Sequence, residues 1–341
     1  MKPIRAQRRS INIASPSLVT ARPFYVDKDL PLLVVPAVAG VDLVTWAEHN
    51  HALIDEYLDK HGAILFRDFH VATTANFEQF IRASAGELLE YADQTSPRHK
   101  VSGNVYTSTD YPARQSIFLH NESSYAAVWP LRIFFFCVSP PDTGGETPIA
   151  DVRKVLSRIP AYIKQRFLEK GWMLARNFGG GLGLPWQTVF QTSDRKAVED
   201  YCREAEITFE WKGEGQLTTR QIRRAIVNHP RTGEPVWFNH ATFFHSSTVQ
   251  REIRQMLLTQ YSERQLPYQT YYGDGSELED STLELLRAAY RKETVSFRWQ
   301  QGDILMLDNM LVAHGRNPFT GPRKIVAGMA QPFKYTDVQQ P

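Results

Sequence analysis

The sequence predicts a mainly β fold, a jelly roll with helices packed around it, and three observations carry that expectation. Short segments dense in β-branched and aromatic residues recur from the middle of the chain to its end. Gly- and Pro-rich turns such as Pro140-Pro141-Asp142 and Gly144-Gly145 punctuate them. The helical stretches between them fall irregularly, without the strand-by-strand alternation of a doubly wound fold.

Residues 1–25 read as a loosely patterned N-terminal arm and 26–341 as one domain with helical insertions, since no linker, repeat or low-complexity tract divides them. Apolar spacing from Trp46 to Leu58 predicts a helix over 45–60, stopped by Gly62. Ala63–Phe66 reads as a strand, and Asn76–Ala85 as a helix burying Phe77, Phe80 and Ile81. Strands are expected at Ile117–Leu119, Leu131–Val138, Thr147–Ile149 and Trp172–Phe178. Between the last two, helices over 152–159 and 162–169 are separated by Pro160, which cannot sit inside a helix. Ile226-Val227 and Val236–Phe238 flank turn residues and predict a hairpin. Helices over 253–261 and 282–290 follow, then strands at Thr294–Arg298, Ile304–Leu307, Leu311–Ala313 and Lys324–Met329.

Composition removes whole classes of function. The 341 residues hold 39 Lys+Arg against 37 Asp+Glu, a net charge of +2, which gives no broad nucleic-acid footprint. Two cysteines, Cys137 and Cys202, make no disulfide framework and fit a reducing, cytoplasmic setting. The basic start lacks the apolar stretch of a signal peptide. The strongest apolar run, Ile133–Val138, falls far short of the about 20 residues that a membrane helix needs. No long heptad or interface helix reports an oligomeric state.

Among the ten histidines, His120 and His314 stand apart because each closes a strand segment. On an extended strand His120 and Glu122 project to one face, with Asn121 facing away. His314 meets them only if the fold brings distant strands together, as a sandwiched sheet does. Two histidines and one carboxylate on one face of an octahedral ion make the facial triad of non-haem Fe(II) oxygenases, and zinc with the same donors and a water is the competing reading. Arg323 follows nine residues after His314. Two neutral imidazoles, one carboxylate and Fe(II) sum to one positive charge. A doubly charged 2-oxoglutarate turns that to one negative charge, and one guanidinium cancels it. Arginine's fork suits such a carboxylate, although a turn arginine beside Pro322 is the plain alternative.

Taken together, GNVYTSTDYP (Gly103–Pro112), FLHNESSY (Phe118–Tyr125), PPDTGGETPIAD (Pro140–Asp151) and WQQGDILMLDNMLVAHGRNPFTGPRK (Trp299–Lys324) carry a resemblance. The chain resembles the TauD/TfdA-like Fe(II)/2-oxoglutarate-dependent dioxygenases over about 62–332, and within them the SyrP-like hydroxylases of nonribosomal peptide pathways. The resemblance implies a double-stranded β-helix of TauD type. It assigns His120, Glu122 and His314 to Fe(II), and Arg323 with the Thr147 hydroxyl to 2-oxoglutarate, leaving room for O2. Better-known members have a second arginine four residues after the first; this chain has Ala327, so Arg323 acts alone or shares the anchor with Lys324 or Arg316. Asp303 and Asn309 are expected to fix the turns around His314.

Related enzymes couple oxidative decarboxylation of 2-oxoglutarate, releasing succinate and CO2, to attack on an unactivated C–H bond. Halogenases of the type replace the carboxylate ligand with a small residue, so Glu122 makes hydroxylation the first expectation, with desaturation or cyclisation open. The implied substrate is an amino acid or amino-acid-derived small molecule, free or presented by a peptidyl carrier protein. Candidate substrate contacts are Asn104, Tyr106, Asn121, Ser123, Tyr125, Asn239 and His240, with Arg98 and Arg132 as alternative carboxylate clamps. The aromatic-rich stretches 172–186 and 237–244 are expected at the mouth, and Gly179-Gly180-Gly181 with Gly183 forms either a mobile lid or a tight bend. A zinc hydrolase or lyase on the same core and a non-catalytic binding protein are the alternatives from other classes.

Overall fold

The computed structural model describes residues 18–90, 100–108, 111–213 and 215–338. Its backbone is an eight-stranded sheet in the order Val19–Tyr25, Lys28–Pro36, Ala63–Phe66, Ile304–Asp308, Val128–Ser139, Lys324–Lys334, Val105–Thr107, Lys100–Ser102. Strand periodicity divides its two faces. Phe134, Phe136, Ile304 and Met306 turn toward the helices Leu43–His49, His51–His61 and Thr74–Ala85, and pack with Trp46, Ile54, Leu58, Phe77 and Phe80. Ile133, Phe135, Cys137, Leu305 and Leu307 turn the other way, into the core shared with the smaller sheet that carries the site.

That smaller sheet has three strands, Ile117–His120, Val312–Arg316 and Ile149–Asp151, in that order. Among the described residues the strands are hydrogen-bonded as separate sheets, and the architecture is a mixed α/β, TauD-like one. A separate four-stranded sheet, Ile207–Lys212, Gln216–Arg223, Trp172–Phe178 and Tyr268–Tyr272, flanks the core.

Several expectations shift at this scale. Val19–Tyr25, within the stretch read as an arm, is a strand paired to Lys28–Pro36, while residues 1–17 lie outside the described residues. The helix expected over 45–60 is two helices broken at Asn50, whose Nδ2 donates to the Trp46 carbonyl at 2.8 Å. Thr294–Arg298 is not a strand; only Val295 makes an isolated bridge, to Ile149. The Gln216–Arg223 strand escapes the apolar pattern because its inward residues Thr218, Thr219, Gln221 and Arg223 are polar. Gln221 and Arg223 direct those polar groups to the Tyr125 carbonyl, at 2.5 and 3.3 Å, satisfying buried backbone that the apolar core cannot.

Candidate metal centre

The two ligand-bearing strands are hydrogen-bonded neighbours in which His314 is the register partner of His120. A β-bulge separates that pair from the next, Arg316 opposite Ile117, and such irregularities re-aim side chains. Gly315 permits the close approach: a Cβ there would sit 2.5 Å from the Ile117 carbonyl oxygen. The imidazole centroids of His120 and His314 lie 4.5 Å apart.

Glu122 arrives differently from the extended-strand expectation. The strand ends at His120, and Glu122 lies in the turn that follows, where Ser123 has φ of 55°. Asn309 holds that turn from the other strand connection. Its Oδ1 accepts from the Glu122 backbone N–H at 2.7 Å, and its Nδ2 donates to the carbonyls of Glu122 and Pro130, both at 2.9 Å. Asn121 donates its amide to the Asn309 carbonyl at 2.6 Å, so its side chain faces away from His120 and Glu122.

The result is a cluster in which one donor atom from each of His120, Glu122 and His314 lies within 4.8 Å of the others. His314 Nε2 stands 3.9 Å from Glu122 Oε2. Metal–donor bonds of roughly 2.1 Å put two donors of one ion about 3 to 4 Å apart, so the cluster is near the size that an ion closes. The donor chemistry also fits. His120 Nδ1 lies 3.0 Å from the Phe118 carbonyl oxygen, which can only accept; Nδ1 therefore carries the proton and Nε2 the lone pair. Glu122 and His314 are each 5% exposed, so the donors form a largely enclosed centre.

A small cleft opens beside them, lined by Ser108, Ile117, Phe135, Thr147, Gly315, Arg316 and Arg323 with the two histidines. Thr147 is fully buried and its hydroxyl accepts from Trp299 Nε1 at 3.3 Å. Arg323 donates to the Gly145 carbonyl at 2.9 Å and to Ser108 Oγ at 3.3 Å. Burial, with the neighbouring Arg316 cation, brings the Arg323 guanidinium down to about 10, still charged at neutral pH. Burial likewise pushes the Cys137 thiol behind it up to about 12, which keeps it protonated. Lys324 is exposed, outside this lining, and Ala327 packs in the core opposite Phe135.

On the other side of His120 the surroundings are aromatic. Phe243 stacks obliquely on it at 4.4 Å, and His240 lies 5.7 Å away. Tyr125 meets His240 edge-on at 5.2 Å, and Phe244 stacks on His240 at 4.8 Å. Burial drives the His240 imidazole well below its ordinary value, so it is neutral, with Nδ1 2.6 Å from Ser124 Oγ. The remaining candidates sit elsewhere or are engaged. Asn104 donates to the Leu88 carbonyl at 3.1 Å, and Tyr106 packs with Met329 and Leu89. Asn239 spans the Ala225 carbonyl and the Ala241 N–H, both at 3.0 Å, as a turn brace. Arg132 is fully buried in an ion pair with Asp308, which also meets His229 at 3.1 Å; it holds the chain and clamps nothing. Arg98 lies outside the described residues. Phe243 and Phe244 were within the stretch expected at the mouth, whereas Ser108, Ile117 and Phe135 carry no sequence signal of a site role.

This geometry is that of a 2-His-1-carboxylate oxygenase fold, and comparison with known proteins agrees. Residues 27–329 match the family described as taurine catabolism dioxygenase TauD, TfdA family. The dapdiamide synthesis protein DdaC of Enterobacter agglomerans is 40% identical over 283 residues, covering 83% of this chain and 86% of that protein. A clavaminate synthase-like protein of Arabidopsis thaliana is 27% identical over 328 residues, covering 90% and 95%. The crystal structure of PvcB from Pseudomonas aeruginosa shares the fold, with a TM-score of 0.56 at 14% identity over 96% of this chain and 98% of that one. The chain belongs to the TauD/TfdA family. It is an enzyme of the Fe(II)/2-oxoglutarate dioxygenase type, acting on a small organic substrate. No helix among the described residues is long and apolar enough to cross a membrane.

Proposed function

We propose that the protein hydroxylates an unactivated C–H bond of an amino acid or an amino-acid-derived small molecule, free or carried on a peptidyl carrier protein. The single observation that carries this reading is the junction of the three-donor cluster with a cleft holding Arg323 and Thr147. His120, Glu122 and His314 would hold Fe(II), and Arg323 with Thr147 would hold 2-oxoglutarate. When bound, that pair supplies dioxygen activation and the oxidising power for C–H attack, with succinate and CO2 as products. Asn309 keeps the Glu122 turn in place, so the carboxylate needs no rearrangement to serve as a ligand. Phe118 fixes the His120 tautomer through its carbonyl. Phe243, Phe244, Tyr125 and neutral His240 would bound the substrate on the opposite side and exclude water.

The substrate class draws support from the relatives. DdaC is named for dapdiamide synthesis, and PvcB is described as an Fe, alpha-ketoglutarate dependent oxygenase from an isonitrile synthetic pathway. Both names fit tailoring steps in secondary metabolism, and the SyrP-like branch and a closed double-stranded β-helix remain parts of the same proposal. Desaturation or cyclisation would use the same ligands. A zinc hydrolase has no use for the Arg323–Thr147 cleft. The test is aerobic turnover of an amino-acid panel, free and carrier-bound, with Fe(II) and 2-oxoglutarate. Substrate-dependent succinate with a product heavier by one oxygen supports hydroxylation. Oxygen-independent product formation, or turnover with zinc alone, rules it out.

A further inference from the structure

Two guanidiniums face one cleft. Arg316 lies two residues past His314, on the same strand face, and lines the cleft together with Arg323. Both stand over the Phe319 ring, 5.3 and 5.5 Å from its centroid. Among the described residues neither has a carboxylate within ion-pair distance. Glu146, the acid next to the cleft's Thr147, is bonded to Asn317 Nδ2 at 3.0 Å instead.

The contacts of Arg316 explain its position but not its charge. Nη1 donates to the Tyr111 carbonyl at 2.8 Å, and Nη2 donates to the carbonyls of Pro112 and Gln115 at 2.7 and 2.8 Å. These neutral acceptors fix the plane of the guanidinium and leave its cation uncompensated. Its Nε–H is buried with no acceptor, and Arg316 as a whole is 5% exposed. An orphaned buried donor on a buried cation is costly to the fold unless an anion completes it. Arg323 keeps both Nη2 hydrogens for a ligand, since only its Nε and Nη1 are engaged.

We propose that Arg316 is a second cosubstrate-binding cation, which together with Arg323 holds the distal carboxylate of 2-oxoglutarate and makes this cleft selective for dicarboxylate 2-oxo acids. The inference rests on the cleft being the cosubstrate site. It assigns the task left open by Ala327 to a residue on the metal-ligand strand itself. Cosubstrate binding and the position of the Tyr111–Gln115 segment are then joined through one side chain.

The test is anaerobic calorimetry on the Fe(II)-loaded protein with two probes, 2-oxoglutarate and 2-oxopentanoate, which replaces the distal carboxylate by a methyl group. Wild type prefers 2-oxoglutarate. In Arg316→Met that preference falls about tenfold or more, as loss of a charge-assisted hydrogen bond requires, while Fe(II) binding and 2-oxopentanoate affinity hold. Arg316→Lys retains part of the preference. If Arg316→Met keeps the wild-type preference and only lowers the unfolding temperature, Arg316 is a loop anchor and the proposal is overturned. Should Arg316→Met not fold, the same ratio in Arg316→Lys and Arg316→Gln decides: lower in both supports it, unchanged in either overturns it. A wild type that binds neither probe removes the cosubstrate reading of the cleft, and this inference with it.

Discussion

His120 shows how much a single side chain has to satisfy at this site. Its Nδ1 proton is fixed by a backbone carbonyl, its register partner is the second imidazole, and Phe243 leans on its ring. Replacing His120 or His314 by Ala should weaken Fe(II) binding more than about 100-fold, since loss of an outer partner alone costs 10–100-fold; equilibrium metal titration checks this. Arg323→Met should leave metal affinity in place and weaken 2-oxoglutarate by about 30-fold or more, as truncation of a buried charge partner does. Unchanged 2-oxoglutarate affinity would remove Arg323 from the cleft's function. The three donors were legible because His120 and His314 each follow a short apolar run and Glu122 comes two residues after the first. Phe135 and Ile117 were not, because a wall residue in a cleft has the same sequence appearance as any core residue.

At the scale of elements, the turn Asp308–Leu311 does the positioning. Asp308 Oδ1 accepts from the N–H groups of Met310 and Leu311 at 2.9 and 3.1 Å, and Asn309 reaches across to the Glu122 turn. The Gly-Asp-x-x-x-x-Asp-Asn pattern announced bracing around His314, yet nothing in it told that Asn309 braces the other ligand. That information is non-local, set by a contact 187 residues away. The same limit hid the polar-faced Gln216–Arg223 strand and the place of Glu122 in a turn, whereas Trp172–Phe178 and Ala63–Phe66 have the bounds the sequence predicts because Trp172, Leu174, Phe178 and all of Ala63–Phe66 are buried apolar residues. Asn309→Ala strips three buried hydrogen bonds. It should lower stability by about 2 to 4 kcal/mol and Fe(II) affinity by about tenfold or more, read by urea unfolding and metal titration. Wild-type metal affinity in a folded variant would show that the turn holds without it.

For the molecule as a whole, the helix-backed sheet and the site sheet share one core, and a buried charge cluster behind the site ties them. Arg132 comes from the long central strand, Asp308 from the end of its neighbour, and His229 from the turn between the paired strands Ile226–Asn228 and Pro235–Trp237. Burial alone would raise the Asp308 carboxyl, but Arg132 and His229 outweigh it and hold it at about 2, below its ordinary 3.8. A depressed carboxyl stabilises the fold above its unfolded value and loses that contribution as pH falls through the folded one. Asp308 should therefore contribute about 2 kcal/mol at pH 6 that disappears between pH 4 and pH 2. Denaturant unfolding across that window should show Asp308→Asn less stable at pH 6 and less steeply acid-sensitive than wild type. Parallel pH profiles would contradict this.

Whether His120, Glu122 and His314 hold one ferrous ion with coordination positions left for 2-oxoglutarate is decided by anaerobic addition of Fe(II) and then 2-oxoglutarate, followed in the visible range. The expected result is a weak charge-transfer band that saturates at one Fe(II) per chain and is abolished in His314→Ala. No band, or a band of equal strength in His314→Ala, would contradict it.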